Sequence, residues 1–232
     1  MTKKIAIIQS NYIPWKGYFD IINMVDEFIL LDDVKYTKND WRNRNRIKAI
    51  NGPLWLTIPI QQHSGQLIKE AIIQSHNWNM KHWKSICQHY SHARYFKEYR
   101  DFFEDLYLTR REKFLSEVNY RFLKELSSIL KIDTTFRFSD EFTLVKGKNE
   151  RLIDICKHCG ANCYLSGPSA QQYIDDHLFR QEGIEVEFAD YSAYPEYAQL
   201  YQPFIHDVSV IDLILNEGPN APRYMKSFNK KN

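Results

Sequence analysis

Apolar positions in the opening segment fall into short blocks separated by polar turns. Residues 5–8 are a continuous apolar run of β type, Gln9-Ser10-Asn11 reads as a turn, and Trp15, Phe19, Ile21 and Ile22 then recur at helical spacing. A second buried-strand run covers residues 28–31 and stops at Asp32-Asp33. Two parallel strands of this kind need a crossover helix between them, so the opening predicts an α/β sheet with ligands at the carboxyl ends of its strands.

Further along, residues 35–48 are polar and basic, residues 55–60 alternate like a strand broken at Pro59, and residues 67–74 read as another strand. Over about residues 79–130 the period becomes helical: Trp83, Ile86, Cys87 and Tyr90 share one face, and Phe114, Val118, Phe122, Leu126 and Ile129 share another. After that come a strand at 134–138, a helix at 150–158 stopped by Gly160, a strand at 163–166 that delivers Gly167-Pro168-Ser169 to a helix start, a last strand at 184–188, and a buried helix at 208–215 ended by Gly218. The prediction is one α/β domain over residues 1–232, with a Rossmann-like, mostly parallel sheet and a helix-rich middle insertion.

Composition narrows the function classes. The formal net charge is only +2, which argues against nucleic acid or an acidic membrane as partner and makes any anion site local. No apolar run approaches the roughly 20 residues that span a bilayer, and Met1-Thr2-Lys3-Lys4 opens no signal-peptide pattern, so a cytoplasmic protein without an integral membrane segment is expected. Cys87, Cys156, Cys159 and Cys163 would then be reduced. Cys156 and Cys159 lie on the apolar stripe of Leu152, Ile153 and Ile155, which favours packing over a metal, and no second ligand pair follows. His76, His82, His89 and His92 surround a helix without the metalloprotease Glu, so packing or solvated histidines are expected and no metal site is assigned.

Three segments carry candidate chemistry. In the first, Gln9, Asn11, Tyr12, Trp15, Lys16 and Tyr18 compress a strand end, a proline-ordered loop and a helix start; free amides with Lys16 beside them suit a phosphate or carboxylate. Equally, Pro14 and Gly17 could simply shape the turn while Trp15 and Tyr18 pack. The second runs from Asp32 and Asp33 to Lys48. Arg42, Arg44 and Arg46 alternate and so share a face in extended chain, Trp41 and Asn43 lie among them, and a diphosphate clamp or a self-neutralising edge both fit. In the third, Ser166, Gly167 and Ser169 form a strand-turn-helix corner that either caps the helix or offers amides to an anion.

At the first two segments the sequence becomes similar to a known family. Gln9, Asn11-Tyr12, Pro14-Trp15, Gly17-Tyr18-Phe19-Asp20, then Asp32-Asp33-Val34, Tyr36, Trp41 and Asn43-Arg44-Asn45, resemble the opening of WbqC-like proteins. The likeness continues through Trp55-Leu56-Thr57-Ile58-Pro59, His82-Trp83, Arg151-Leu152, Tyr164-Leu165-Ser166-Gly167, Tyr197, Gln199 and Asp212-Leu213. That resemblance implies a role in bacterial O-antigen or other surface-polysaccharide synthesis, with glycine (aminoacyl) transfer to an activated or lipid-linked sugar as one activity. It supplies no catalytic residues. The layout of Trp15-Lys16-Gly17-Tyr18 after the first strand is also similar to the His-x-Gly-His corner of nucleotidylyltransferases and pantoate ligases, with both histidines replaced.

The leading expectation is therefore a transferase with a sugar or nucleotide-sugar substrate. Arg42, Arg44 and Lys48 would hold phosphate or carboxylate, Trp15, Tyr18 and Trp41 would stack on a ring, and Asp32 or Asp33 would act as base or bind magnesium. Glycine, or ATP gripped by Lys16 and Gly17 in an adenylate-forming reaction, are the co-substrates to consider, and a non-catalytic assembly module is the rival from another class. Each mechanistic version assumes that the Asp32-Asp33 pair and the nearby arginines converge on one hollow.

Overall fold

The computed structural model describes residues 2–75, 77–143 and 145–229. Strand β1 (Lys4–Ile8) is followed by helix α1 (Lys16–Asn23) and strand β2 (Glu27–Leu30), and β1 and β2 pair in parallel. A hairpin of β3 (Arg44–Ala49) and β4 (Gly52–Thr57) comes next, then helices α2 (Trp78–Tyr90), α3 (Phe96–Leu108) and α4 (Leu115–Ile129). The chain returns to the sheet through β5 (Thr135–Phe138), α5 (Lys148–His158), β6 (Cys163–Ser166), α6 (Asp176–Gln181) and β7 (Glu185–Phe188), and closes with α7 (Val210–Glu217) and α8 (Lys226–Asn229).

The five-stranded sheet has the order β5-β2-β1-β6-β7, and every pairing in it is parallel. Numbered within the sheet alone this is 3-2-1-4-5, the doubly wound order, and β1 with β6 marks the point where the chain reverses direction across the sheet. The α/β class, the parallel sheet and the helical middle expected from the sequence are all present.

Period-two alternation explains how a thin sheet acquires two cores. Ala6, Phe28, Leu30 and Leu165 face the layer containing α1, α4 and α7, whereas Ile5, Ile7, Ile29 and Tyr164 face α5 and α6. Cys156 and Cys159 pack in that second core, where burial pushes their thiols up to about 12 and about 11. Residues 67–74 do not form the expected strand. They make a 3-10 turn, Ile68–Glu70, flanked by isolated bridges such as Lys35 to Leu67 and Ile72 to Phe114.

The helical middle is tied to the sheet by a buried polar relay. Tyr107 on α3 and Tyr12 in the loop after β1 join hydroxyls at 3.1 Å, Tyr12 reaches His82 Nδ1 on α2 at 2.9 Å, and His82 Nε2 lies 3.2 Å from the Thr57 carbonyl. Since a carbonyl only accepts, Nε2 carries the proton and Nδ1 accepts from Tyr12. His76 lies outside the described residues.

Burial lowers the His82 pKa to about 4, so the folded protein resists a proton that the unfolded chain takes up near its ordinary value. The unfolded state binds more protons between those values, so stability is lost as pH falls from about 6.5 towards 4, by up to about 3 kcal/mol from this group. Chemical denaturation at pH 7 and pH 4.5 should show a His82-dependent loss, and imidazole NMR should report a neutral ring at pH 5.5.

Candidate functional site

Because β1 and β6 are adjacent while their following loops diverge, a cleft opens at their carboxyl ends. Its volume is about 1280 Å³, with Gln9 and Asn11 on one side and Ser166, Gly167 and Ser169 on the other. Trp15, Tyr18, Trp41 and Arg42 also line it, so nine of the sequence-derived binding candidates meet in one place.

Local geometry explains why Trp15 enters the cleft. Its indole lies directly over Gly17, where an added Cβ would sit 2.2 Å from a ring carbon, so only glycine permits this placement. Tyr191 and Tyr194, from the loop after β7, complete an aromatic corner with ring centroids 4.9 and 5.1 Å from Trp15. Tyr194 is fixed in turn by the buried Asp20, which accepts its hydroxyl at 2.5 Å and the amides of Lys226 and Ser227, each at 2.9 Å. Ile13 at φ 36° and Ala193 at φ 50° hold left-handed backbone in the two walls, a conformation that costs a β-branched residue most.

Arg42 is placed by its main chain. Asn119 of α4 donates to the Arg42 carbonyl at 2.9 Å and to Ser10 Oγ at 3.0 Å, and the Tyr12 amide donates to the Trp41 carbonyl at 3.0 Å. The Arg42 guanidinium contacts Asn11 Oδ1 at 3.3 Å and Asp40 at 3.4 Å. Lys35, Lys148 and Arg151 join it in the lining, and Asp207 is the sole carboxylate-bearing residue there among those described. Asp207 is already paired with Arg46. Arg151 Nε is shielded from solvent without a hydrogen-bond partner, and no ion pair with Lys35, Lys148 or Arg151 is present among the described residues. The cleft therefore carries uncompensated positive charge.

Other sequence candidates lie elsewhere, and the assumption of a single shared hollow is corrected. Asp32 is buried at 2 % exposure; it accepts from the Ser10 amide at 2.9 Å and from the Ser116 hydroxyl, and burial raises its pKa. Asp33 accepts from Ser139 Oγ at 2.5 Å. Both line a separate hollow of about 560 Å³ beyond β2 whose lining does not include Arg42, although the Arg42 charge still acts on Asp32 and offsets part of the effect of its burial. Lys16 is turned under the C-terminal loop, donating to the Pro195 carbonyl at 2.6 Å between Tyr194 and Tyr197; desolvation lowers its pKa to about 8. Lys48 is buried against the Pro203 carbonyl. Tyr12 belongs to the relay, Asn43 donates to the Ile58 carbonyl at 2.9 Å, and Arg44 covers the Trp55 ring at 4.1 Å.

The lining residues that sequence reasoning missed come mostly from the second half of the chain: Lys148, Arg151, Tyr173, Tyr191, Tyr194, His206 and Asp207. Lys148 and Arg151 stand on the first turn of α5, whose start at the carboxyl edge of the sheet follows from the doubly wound order. His206 and Asp207 are held by a buried anchor: Asp212 accepts from Tyr90 and Tyr197 at 2.8 and 2.7 Å and from Gln199 at 3.0 Å, while Gln199 accepts the Ile205 amide at 2.8 Å. No cluster of three or more His, Cys, Asp or Glu side chains able to hold a metal occurs among the described residues.

Comparison with known proteins agrees with the sequence likeness. A model of the WbqC-like protein family matches residues 9–224. A Mycobacterium tuberculosis (strain ATCC 25618 / H37Rv) protein, "Uncharacterized protein Rv1507c", is 44% identical over 226 residues, spanning 97% of this chain and 98% of that protein. No solved structure matches the chain. The chain belongs to the WbqC-like protein family. No described helix is long and apolar enough to cross a membrane.

The placement of Asp32 separates a structural role from a catalytic one. Asp32→Asn keeps an acceptor for the Ser10 amide and offers a donor to Ser116, so its thermal midpoint should stay within a few degrees of wild type. Asp32→Ala orphans both groups and should cost about 2–3 kcal/mol in denaturant titrations.

Proposed function

We propose that this WbqC-like protein is a transferase whose cleft binds a phosphate-activated sugar, of the nucleotide-sugar type, in the synthesis of a bacterial surface polysaccharide. The observation that carries the reading is the pairing, at the reversal point of a doubly wound sheet, of four cationic side chains with an aromatic corner. Arg42, Lys148 and Arg151 supply charge-assisted donors for a diphosphate, with Ser166 and Ser169 beside them. Trp15 and Tyr191 offer ring faces to a base or sugar, while Tyr18 is buried.

In the reaction an acceptor hydroxyl or amine attacks the activated carbon, and the bond to the phosphate-linked leaving group breaks. The cations take up the negative charge released on that leaving group. His206 is the imidazole in the lining and is assigned the acceptor's proton. Glycine belongs to the same reading through the family likeness as an acceptor, its amine attacking the activated carbon as the phosphate-linked group leaves.

The adenylate-forming alternative loses the contact assigned to it, since Lys16 is buried at 2 % exposure outside the cleft lining, with its amine turned to the Pro195 carbonyl. A non-catalytic module would use the same cleft for binding alone, so turnover separates the two readings.

Calorimetry with uridine diphosphate and its sugar conjugates should show binding that weakens with added salt. Arg42→Ala with Arg151→Ala should reduce it by at least about tenfold, roughly 1.4 kcal/mol. His206→Ala should leave that binding unchanged while suppressing product, followed by mass spectrometry with sugar acceptors and glycine. Absence of nucleotide binding in the wild-type protein would refute the reading.

A further inference from the structure

The β3–β4 hairpin presents two unlike faces. Asn45, Ile47 and Leu56 point inward and are buried, with Ile47 fully covered. On the outward face Arg46 is registered directly opposite Trp55, Arg44 lies one pleat away opposite Thr57, and Trp41 precedes the strand. Trp41 and Trp55 are each 39% exposed, unlike Trp78 and Trp83, which are buried. The two exposed indoles lie 5.5 Å apart, centroid to centroid, at an interplanar angle of 37°. Arg44 covers the Trp55 ring at 4.1 Å, and Arg46 reaches both rings, at 5.3 Å for Trp55 and 5.7 Å for Trp41.

Guanidinium stacking alone would explain a rigid hairpin. Two details go further. Arg46 is neutralised by Asp207, but Arg44 has no ion pair among the described residues; the Nε atoms of both arginines are shielded from solvent without a hydrogen-bond partner. The shelf is also continuous with the cleft, because Trp41 and Asp207 line that cavity as well. A molecule leaving the cleft past Trp41 thus meets a second indole and an uncompensated cation.

From this we infer that the Trp41–Trp55 shelf is a saccharide subsite, and that its occupant is an acidic pyranose unit of the acceptor chain. The inference rests on the cleft being the donor site of the transferase proposed above, and it assigns the acceptor side. A pyranose ring has a face of C–H bonds that lies against the electron-rich face of an indole. Its carboxylate matches the planar donor fork of Arg44. A flat apolar partner surface would gain nothing from that guanidinium, and a bare phosphate would gain nothing from two indoles.

The test uses the full chain and three probes: a short oligogalacturonate, a neutral malto-oligosaccharide of equal length, and uridine diphosphate. Binding is read by quenching of tryptophan fluorescence and by calorimetry, with thermal midpoints as the fold control. The acidic oligosaccharide should bind at least about tenfold more tightly than the neutral one. Trp55→Ala should lose that binding and Trp55→Phe should retain most of it. Arg44→Gln should bring the acidic probe down to the affinity of the neutral one. None of these variants should alter uridine diphosphate affinity or the thermal midpoint. Wild-type affinity for oligogalacturonate in Trp55→Ala and Arg44→Gln, preference for the neutral chain, or binding of neither saccharide would each overturn the inference. Saccharide binding without nucleotide binding would instead contradict the cleft reading and leave the shelf in place.

Discussion

The architecture depends on one pairing: β1 and β6, strands some 160 residues apart in sequence, lie side by side and parallel, with Ile5 opposite Tyr164 and Ala6 opposite Leu165. Neither strand can reach its other neighbour without a crossover, and the crossovers leave in opposite directions. That divergence keeps the space beyond Ile8 and Ser166 free of direct connections, so the cleft is a topological consequence of the strand order. The side chains then only have to decorate it.

What decorates it is held with unusual economy of buried polar groups. Asp32, Asp20 and Asp212 are each almost fully buried, and each collects donors from distant segments: Ser10 and Ser116 for Asp32, Tyr194 and Ser227 for Asp20, Tyr90, Tyr197 and Gln199 for Asp212. A buried carboxylate lacking such donors would cost several kcal/mol, so each acts as a specific lock on loop geometry. Asp20 locks the Tyr194 wall, Asp212 locks the approach to His206, and Asp32 locks the loop that leads to Asn11. These buried carboxylates thus brace the loops around the cleft, while its lining is mainly cationic and aromatic.

How much of this was legible follows from the range of each interaction. Strand and helix periodicities are local, so the sheet strands, the helical middle and the glycine stop at Gly160 could be read directly. The packing of Trp15 on Gly17 is local as well, and the cluster of Gln9, Asn11, Trp15 and Tyr18 was found with it. Lys16 illustrates the opposite case: its amine is consumed by the Pro195 carbonyl, about 180 residues away, and no nearby pattern announces that. Asp32 likewise sits at a strand's carboxyl end, as expected, but Ser116 on α4 closes over it. Arg42, Arg44 and Arg46 read as one clamp because strands alternate, yet Arg42 precedes the strand and turns into the cleft, while Arg44 and Arg46 remain on the hairpin's outer face. Lys148 and Arg151 could have been anticipated from the strand order, which places every crossover helix's first turn at the ligand edge.

The central claim is that phosphate of an activated sugar is held where β1 and β6 end, by cations from both halves of the sheet. A crystal structure of the protein soaked with a uridine diphosphate sugar tests it most directly. The account predicts diphosphate density between Arg42 and Arg151, with the base or sugar against Trp15 and Tyr191. Density in the hollow beside Asp33 and Lys69, with the cleft at β1 and β6 left to solvent, would contradict it.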